Sequence, residues 1–162
     1  MKILILTVAG MSTRFSESIG EPCLKCIFYR DSIKESLLYR MLHQNEAFDK
    51  YVIVGGYMFE QLKITLEKDF AEFQDKIILI KNDRYSDFGS GYSLFLGLQA
   101  VLDFDIQEIV FAEGDLYVDD ESFQKVCTSV NNVITYNREP ILANKAVAFY
   151  YDFEYRIHYI YD

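Results

Sequence analysis

Three charged side chains stand beside short runs of small residues in this chain. Arg14 and Lys25 follow Ala9-Gly10-Met11-Ser12-Thr13, and Asp115 follows Gly114. Residues without bulk let backbone N–H groups approach anionic oxygens closely, so Val8, Ala9, Gly10, Met11, Ser12 and Thr13 read as a turn able to cradle phosphate. Arg14 would add a planar fork of donors matched to phosphate oxygens, and Lys25 a mobile point charge. At about 4 Å and an effective dielectric near 20, one such charge pair is worth about 4 kcal/mol, so two cations and a metal would hold a polyphosphate firmly. The same residues also describe an ordinary glycine turn flanked by solvated basic side chains, and the loop alone does not choose between the two.

Asp115 suggests what completes the site. A carboxylate facing a polyphosphate repels it unless a divalent cation stands between them, and Mg²⁺ is commonly held by one or two carboxylates plus substrate phosphates. Asp115 is therefore the candidate magnesium ligand, against the plainer reading of a Gly-Asp turn that caps structure. Glu113 is an accessory candidate, although it is expected to point differently from Asp115 if the extended geometry of the strand persists. A third polar stretch, from Asn82 through Tyr85 to Ser90 and Gly91, is longer than the usual connection and marks a ligand loop.

The spacing excludes two familiar phosphate loops. There is no G-x-x-x-x-G-K-S/T string, and Gly10-Met11-Ser12 lacks the glycine spacing of a dinucleotide fingerprint.

These residues need a scaffold, and 162 residues at 51% hydrophobic content make one domain with a real core. The net charge of -9 argues against a nucleic-acid partner, while a local basic pocket for a small anion and a divalent metal remains compatible with it. The apolar stretches are strand-sized, so no membrane span is expected. Lys2 to Val8 reads as a strand rather than a signal peptide, and a cytoplasmic location is the expectation. Cys23, Cys26 and Cys127 are too few for a disulfide framework; Cys23/Cys26 has no second C-x-x-C pair and His43 and His158 lie far apart in sequence, so the thiols read as packing residues around Lys25.

Apolar runs alternate with amphipathic stretches up to about residue 132, the rhythm of β-α units around a mostly parallel sheet. Strands are expected at 2–8, 51–54, 76–80 and 108–112. Helices are expected from the cap Ser32 to about 46, over 58–73, over 92–102, and over 121–130 behind Asp119 or Asp120. Ligands of such sheets bind at the carboxyl ends of the strands, where all three candidate loops emerge. Residues 132–136, 145–151 and 155–161 are strand-like and rich in tyrosine, and are expected as antiparallel additions to the sheet with 152–154 as a hairpin connection. Those tyrosines read as packing residues more readily than as a cage for a quaternary ammonium group.

In Val8-Ala9-Gly10-Met11-Ser12-Thr13-Arg14, Leu24-Lys25, Asn82-Asp83-Arg84-Tyr85, Gly91-Tyr92-Ser93-Leu94 and Gly114-Asp115, the sequence resembles the sugar-phosphate nucleotidylyltransferases and MobA-like NTP transferases. Within them it is most similar to bacterial phosphocholine cytidylyltransferases. The resemblance implies a three-layer Rossmann-like α/β fold over 1–162, with antiparallel C-terminal strands. It implies transfer of a nucleotidyl group from an NTP, CTP favoured, to a small phosphomonoester with Mg²⁺ as cofactor. Arg14, Lys25 and Asp115 would be catalytic, Asp115 the metal ligand, and Asn82, Tyr85, Ser90, Gly91 and Ser93 would join residues 8–13 in binding nucleotide.

The sequence departs from the family in three places. Ser12 stands where glycine is usual, Leu24 replaces the proline before the lysine, and a second metal-binding aspartate near the C-terminus has no recognisable counterpart, although Asp152 and Asp162 are available carboxylates. A domain truncated at its C-terminus that binds nucleotide without turnover is the alternative reading. A nucleotide-sugar glycosyltransferase ranks below it, because Asp115-Leu116-Tyr117 is not D-x-D. The base, the acceptor and the oligomeric state stay open.

Overall fold

The computed structural model describes residues 1–44, 47–136 and 148–160. They fall into two compact units, Met1–Asn131 and Asn132–Asp162.

In the first unit, strand β1 (Lys2–Val8) is buried from Ile3 onward, as a strand covered on both faces must be. It pairs in parallel with β2 (Lys50–Gly55) on one side and β4 (Glu108–Glu113) on the other. β3 (Ile77–Lys81) pairs with β2, so the order is β3-β2-β1-β4. Parallel neighbours require crossovers. Helices α1 (Thr13–Ile19) and α2 (Leu37–Gln44) connect β1 to β2, α3 (Phe59–Asp69) connects β2 to β3, α4 (Ser90–Gln99) connects β3 to β4, and α5 (Asp120–Cys127) follows.

Alternation along β1 divides the core. Leu4, Leu6 and Val8 join Tyr51, Ile53 and Val110 under Leu38, Met41 and Leu42 of α2, Leu62 and Leu66 of α3, and Phe123 of α5. Ile3 and Ile5 join Val52 and Val54 under Leu94 and Leu96 of α4. The helix-sheet-helix layering is the α/β architecture expected, and the strand order reverses between β1 and β4. That reversal opens the crevice where such sheets receive ligands.

Several boundaries differ from the sequence expectation. Ser32 caps a short 3-10 turn, Ile33–Glu35, by accepting from the Lys34 N–H. α2 begins only at Leu37, where the buried Ser36 hydroxyl accepts the Tyr39 N–H at 3.3 Å. Residues 45–46 lie outside the described set. α3 stops at Asp69, before a separate turn, Ala71–Phe73. α4 starts at Ser90 rather than residue 92, which puts Ser90 and Gly91 in its first turn. α5 ends at Cys127, and Asp119 caps it through the Ser122 N–H.

In the second unit, β5 (Ala148–Tyr151) and β6 (Ile157–Ile160) pair antiparallel. Among the described residues they form a sheet of their own, not an extension of the four-stranded one, and residues 132–136 form no strand. Residues 145–147 and 161 lie outside the described set. Asp152 organises the hairpin turn. Its Oδ1 accepts the Glu154 and Arg156 N–H groups at 2.9 and 3.0 Å, and its Oδ2 meets His158 Nε2 at 2.9 Å and Arg156 Nε at 3.0 Å. The His158 contact and the Arg156 bonds hold its carboxyl down at about 2. Tyr151 stacks on Tyr155 and Tyr150 on His158, with all three tyrosines exposed.

α4 approaches the sheet at Gly97, where a Cβ would stand 2.7 Å from Ile5 Cγ2 and 3.3 Å from Val54 Cγ2. Gly97→Ala is therefore expected to destabilise the fold by about 1–3 kcal/mol despite the better helix propensity of alanine, as read from the urea unfolding midpoint.

Candidate active site

The chain leaves β1 through Ala9 and Gly10. The Tyr57 N–H donates to the Ala9 carbonyl at 3.1 Å, which ties this loop to the end of β2. A Cβ on Gly56 would lie 2.5 Å from Tyr85 Cβ and 2.9 Å from the Ala9 oxygen. Only glycine lets the first loop, the end of β2 and the 82–89 loop meet there. The amides of Gly10, Met11 and Ser12 donate to no group among the described residues, so three donors remain available to a ligand.

Ser12 sits at φ 52, ψ 26, the left-handed region. A residue other than glycine meets a steric cost there of roughly 1–2 kcal/mol. The serine offsets part of that cost, because its hydroxyl accepts the Lys25 N–H at 3.3 Å. Arg14, the second residue of α1, is exposed and has no hydrogen bond or ion pair among the described residues.

Lys25 starts a 3-10 turn, Lys25–Ile27, anchored in the core by Leu24, Cys26 and Ile27. Its Nζ lies 3.3 Å from Asp115 Oδ2, with the two side chains 36% and 52% exposed. Asp115 reaches this place through Gly114, whose N–H donates to the Thr7 carbonyl at 3.0 Å and where a Cβ would stand 2.4 Å from Val8 Cγ1. Glu113 and Asp115 both line the same cavity, contrary to the sequence expectation, because residues two apart along a strand project to the same face and alternation does not separate them.

That cavity, of about 280 Å³, is lined by Thr7, Val8, Ala9, Gly10 and Ser12 from the first loop, and by Lys25, Cys26, Glu113 and Asp115. Tyr85, Phe88, Gly89, Ser90 and Ser93 complete it from the second loop and α4. Met11, Thr13, Arg14 and Gly91 are not among its lining residues. Asn82 is also elsewhere: fully buried, its Nδ2 donates to Ser93 Oγ at 2.9 Å while its Oδ1 accepts the Arg84 N–H at 2.9 Å. It shapes the loop from inside. Thr7, Cys26, Phe88 and Gly89 join the lining beyond the residues expected from sequence; Phe88 and Gly89 lie within the loop marked for a ligand, and Cys26 follows Lys25. Burial pushes the Cys26 thiol up to about 12, with the Asp115 charge adding to the effect, so it stays protonated at neutral pH and forms wall rather than nucleophile. Of the two late carboxylates, Asp152 is engaged in its hairpin turn and Asp162 lies outside the described residues.

Solved structures identify the class of fold as that of the nucleotidyltransferases. The chain is similar to CTP:phosphocholine cytidylyltransferase from Streptococcus pneumoniae, at 21% identity and a TM-score of 0.51 over 70% of this chain and 45% of that one. It is similar to a nucleotidyl transferase from Methanothermobacter, at 20% identity and a TM-score of 0.59 over 78% and 56%. It is also similar to the inositol-1-phosphate CTP transferase from T. maritima, at 21% identity and a TM-score of 0.51 over 71% and 44%. The chain thus spans about half the length of these structures. More specifically, residues 21–162 match the family described as Domain of unknown function (DUF6564), and the chain belongs to that family. No curated protein sequence matches it significantly.

The Ser12 geometry separates two substitutions. Ser12→Ala keeps the strain and loses the hydroxyl, and is expected to cost about 0.5–1.5 kcal/mol. Ser12→Gly relieves the strain and is expected to be at least as stable as the natural protein. Urea unfolding of the two variants checks the order.

Proposed function

We propose that the protein is a magnesium-dependent nucleotidyltransferase that joins the nucleotidyl part of an NTP, CTP favoured, to a small phosphomonoester such as phosphocholine or a sugar phosphate. The observation that carries this reading is the meeting of the small-residue loop, Lys25 and Asp115 in one cavity at the carboxyl edge of the sheet. Two structural neighbours, a CTP:phosphocholine cytidylyltransferase and an inositol-1-phosphate CTP transferase, support a cytidine nucleotide and a phosphorylated acceptor.

In the proposed reaction an acceptor phosphate oxygen attacks the α-phosphorus in line. The bond from that phosphorus to the bridging oxygen of the β-phosphate breaks, and pyrophosphate leaves with the electron pair. No protein nucleophile is needed, consistent with the protonated Cys26 thiol. The free amides of Gly10, Met11 and Ser12 receive phosphate oxygens. Lys25 exchanges Asp115 for the reacting phosphates, a small loss, since so exposed a pair contributes only about 0–1 kcal/mol. Arg14, exposed and unpartnered, braces the departing pyrophosphate, and Tyr85, Ser90 and Ser93 face the nucleoside. Glu113 and Asp115 offer the hard oxygen donors that suit Mg²⁺, with phosphates and water completing the shell. A bound magnesium ion would supply charge neutralisation at the transferring phosphate.

A second reading, nucleotide binding without turnover, draws on the engaged state of Asp152 in its hairpin turn. Pyrophosphate release from CTP, Mg²⁺ and phosphocholine distinguishes the two. Turnover is expected, with Lys25→Met and Asp115→Asn each lowering it by about 100-fold or more. Binding of CTP by calorimetry, with no pyrophosphate from any of the four NTPs and a panel of phosphomonoesters, would favour the second reading. Failure to bind any NTP would reject both.

A further inference from the structure

We infer that Arg40 and Gln44 of α2 are positioning residues for Asp115, an inference that rests on the nucleotidyltransferase reading above. Asp115 belongs to the segment 114–119, which joins β4 to α5; its backbone bonds are those of Gly114 N–H to the Thr7 carbonyl, Leu116 N–H to the Glu113 carbonyl and Phe123 N–H to the Asp119 carbonyl. Its start is fixed by Gly114 against Val8, and its end by the Asp119 cap. Between them Val118 packs against the core, while Leu116 and Tyr117 remain 48% and 65% exposed. Burial alone therefore does little to hold the stretch just behind Asp115.

α2 makes contacts along this stretch. The Arg40 guanidinium lies 4.6 Å from the centroid of the Tyr117 ring, and its Nη2 donates to the Tyr117 hydroxyl at 3.1 Å. The same Nη2 stands 3.9 Å from Asp120 Oδ1. Gln44 Nε2 donates to the Val118 carbonyl at 2.6 Å and to Asp120 Oδ1 at 2.9 Å, and the Gln44 carbonyl accepts Gln124 Nε2 at 2.9 Å. Residues 117, 118 and 120 are thus all gripped by one helix.

The same helix bears on Lys25. Leu38, Met41 and Leu42 of α2 share a core with Leu24, Cys26 and Ile27, the residues that anchor the Lys25 turn. One rigid element therefore positions both members of the Lys25–Asp115 contact, and the separation of lysine and carboxylate is set from α2. Sites that bind metal and phosphate together depend on such support, because a displacement of about 1 Å is costly to catalysis. The role differs from fold stabilisation: exposed ion pairs and cation-π contacts add little to global stability, but these converge on the segment behind the carboxylate.

The test uses the full chain with Arg40→Ala, Arg40→Lys and Tyr117→Phe, the last of which removes only the hydroxyl acceptor. Hydrogen exchange at the Leu116 amide, which donates to the Glu113 carbonyl at 3.2 Å, is measured without ligand, and CTP binding is titrated calorimetrically with and without Mg²⁺. Arg40→Ala is expected to speed exchange at the Leu116 amide by about five-fold or more, the shift that loss of an exposed ion pair and a cation-π contact produces. It is expected to raise the Mg²⁺ concentration needed for half-maximal enhancement of CTP binding, with metal-free CTP binding unchanged. Arg40→Lys should restore part of the effect, and Tyr117→Phe should show a smaller shift in the same direction. Unchanged exchange, an unmoved Mg²⁺ dependence, or equal loss of metal-free and metal-dependent binding would each overturn the positioning role while leaving the nucleotidyltransferase reading in place. If the natural chain binds no CTP with Mg²⁺, that reading fails and the positioning role falls with it, whatever the exchange rates show.

Discussion

β1 lies between β2 and β4 with both ladders parallel, and the register of those ladders decides where the candidate site residues stand. Val8 sits opposite Gly55 and Thr7 opposite Glu113, so the loop after β1, the Gly56 contact and the turn at Gly114 finish at one edge. A slip of β4 by one residue against β1 would turn Val110 away from the core it shares with Leu4 and Leu6. It would also carry Asp115 about 3.3 Å along the strand, out of reach of Lys25. The hydrophobic layering that stabilises the sheet thus also fixes the chemistry at its edge.

The site itself is lightly held. Lys25 and Asp115 are partly exposed partners, Arg14 is unpaired, and three loop amides point to no acceptor among the described residues. An arrangement of this kind contributes little to folding and leaves its charges available to a ligand. Strain is stored close by, in the left-handed Ser12, whose hydroxyl links the phosphate loop to the backbone of Lys25. In a chain of net charge -9, a polyphosphate would need both the local cations and a divalent ion, which is why the two carboxylates in the cavity fit the proposed chemistry rather than oppose it.

Much of the fold was legible in the sequence, because buried parallel strands appear as unbroken apolar runs and helices as periodic ones. The failures were local choices between equivalent signals. Ser32 and Ser36 are both good caps, and only burial shows that the second begins α2. Gly91 reads as a helix breaker, yet the first turn of α4 tolerates it. The late tyrosine-rich segments announce strands without naming their partner, since pairing is a long-range property. For the site, residue types were legible but contacts were not: Lys25 and Asp115 are 90 positions apart. Asn82 is polar within a polar loop, and nothing local shows that Ser93 and the Arg84 amide occupy its side chain.

Family membership and a shared fold leave the central claim to be tested at the cavity itself, and a crystal structure of this chain grown with CTP and Mg²⁺ does so most directly. The expected result has triphosphate oxygens on the Gly10, Met11 and Ser12 amides, a cation on Asp115, and Lys25 turned from Asp115 toward phosphate. A nucleotide bound elsewhere, or an empty cavity with Lys25 and Asp115 still paired at saturating ligand, would contradict it.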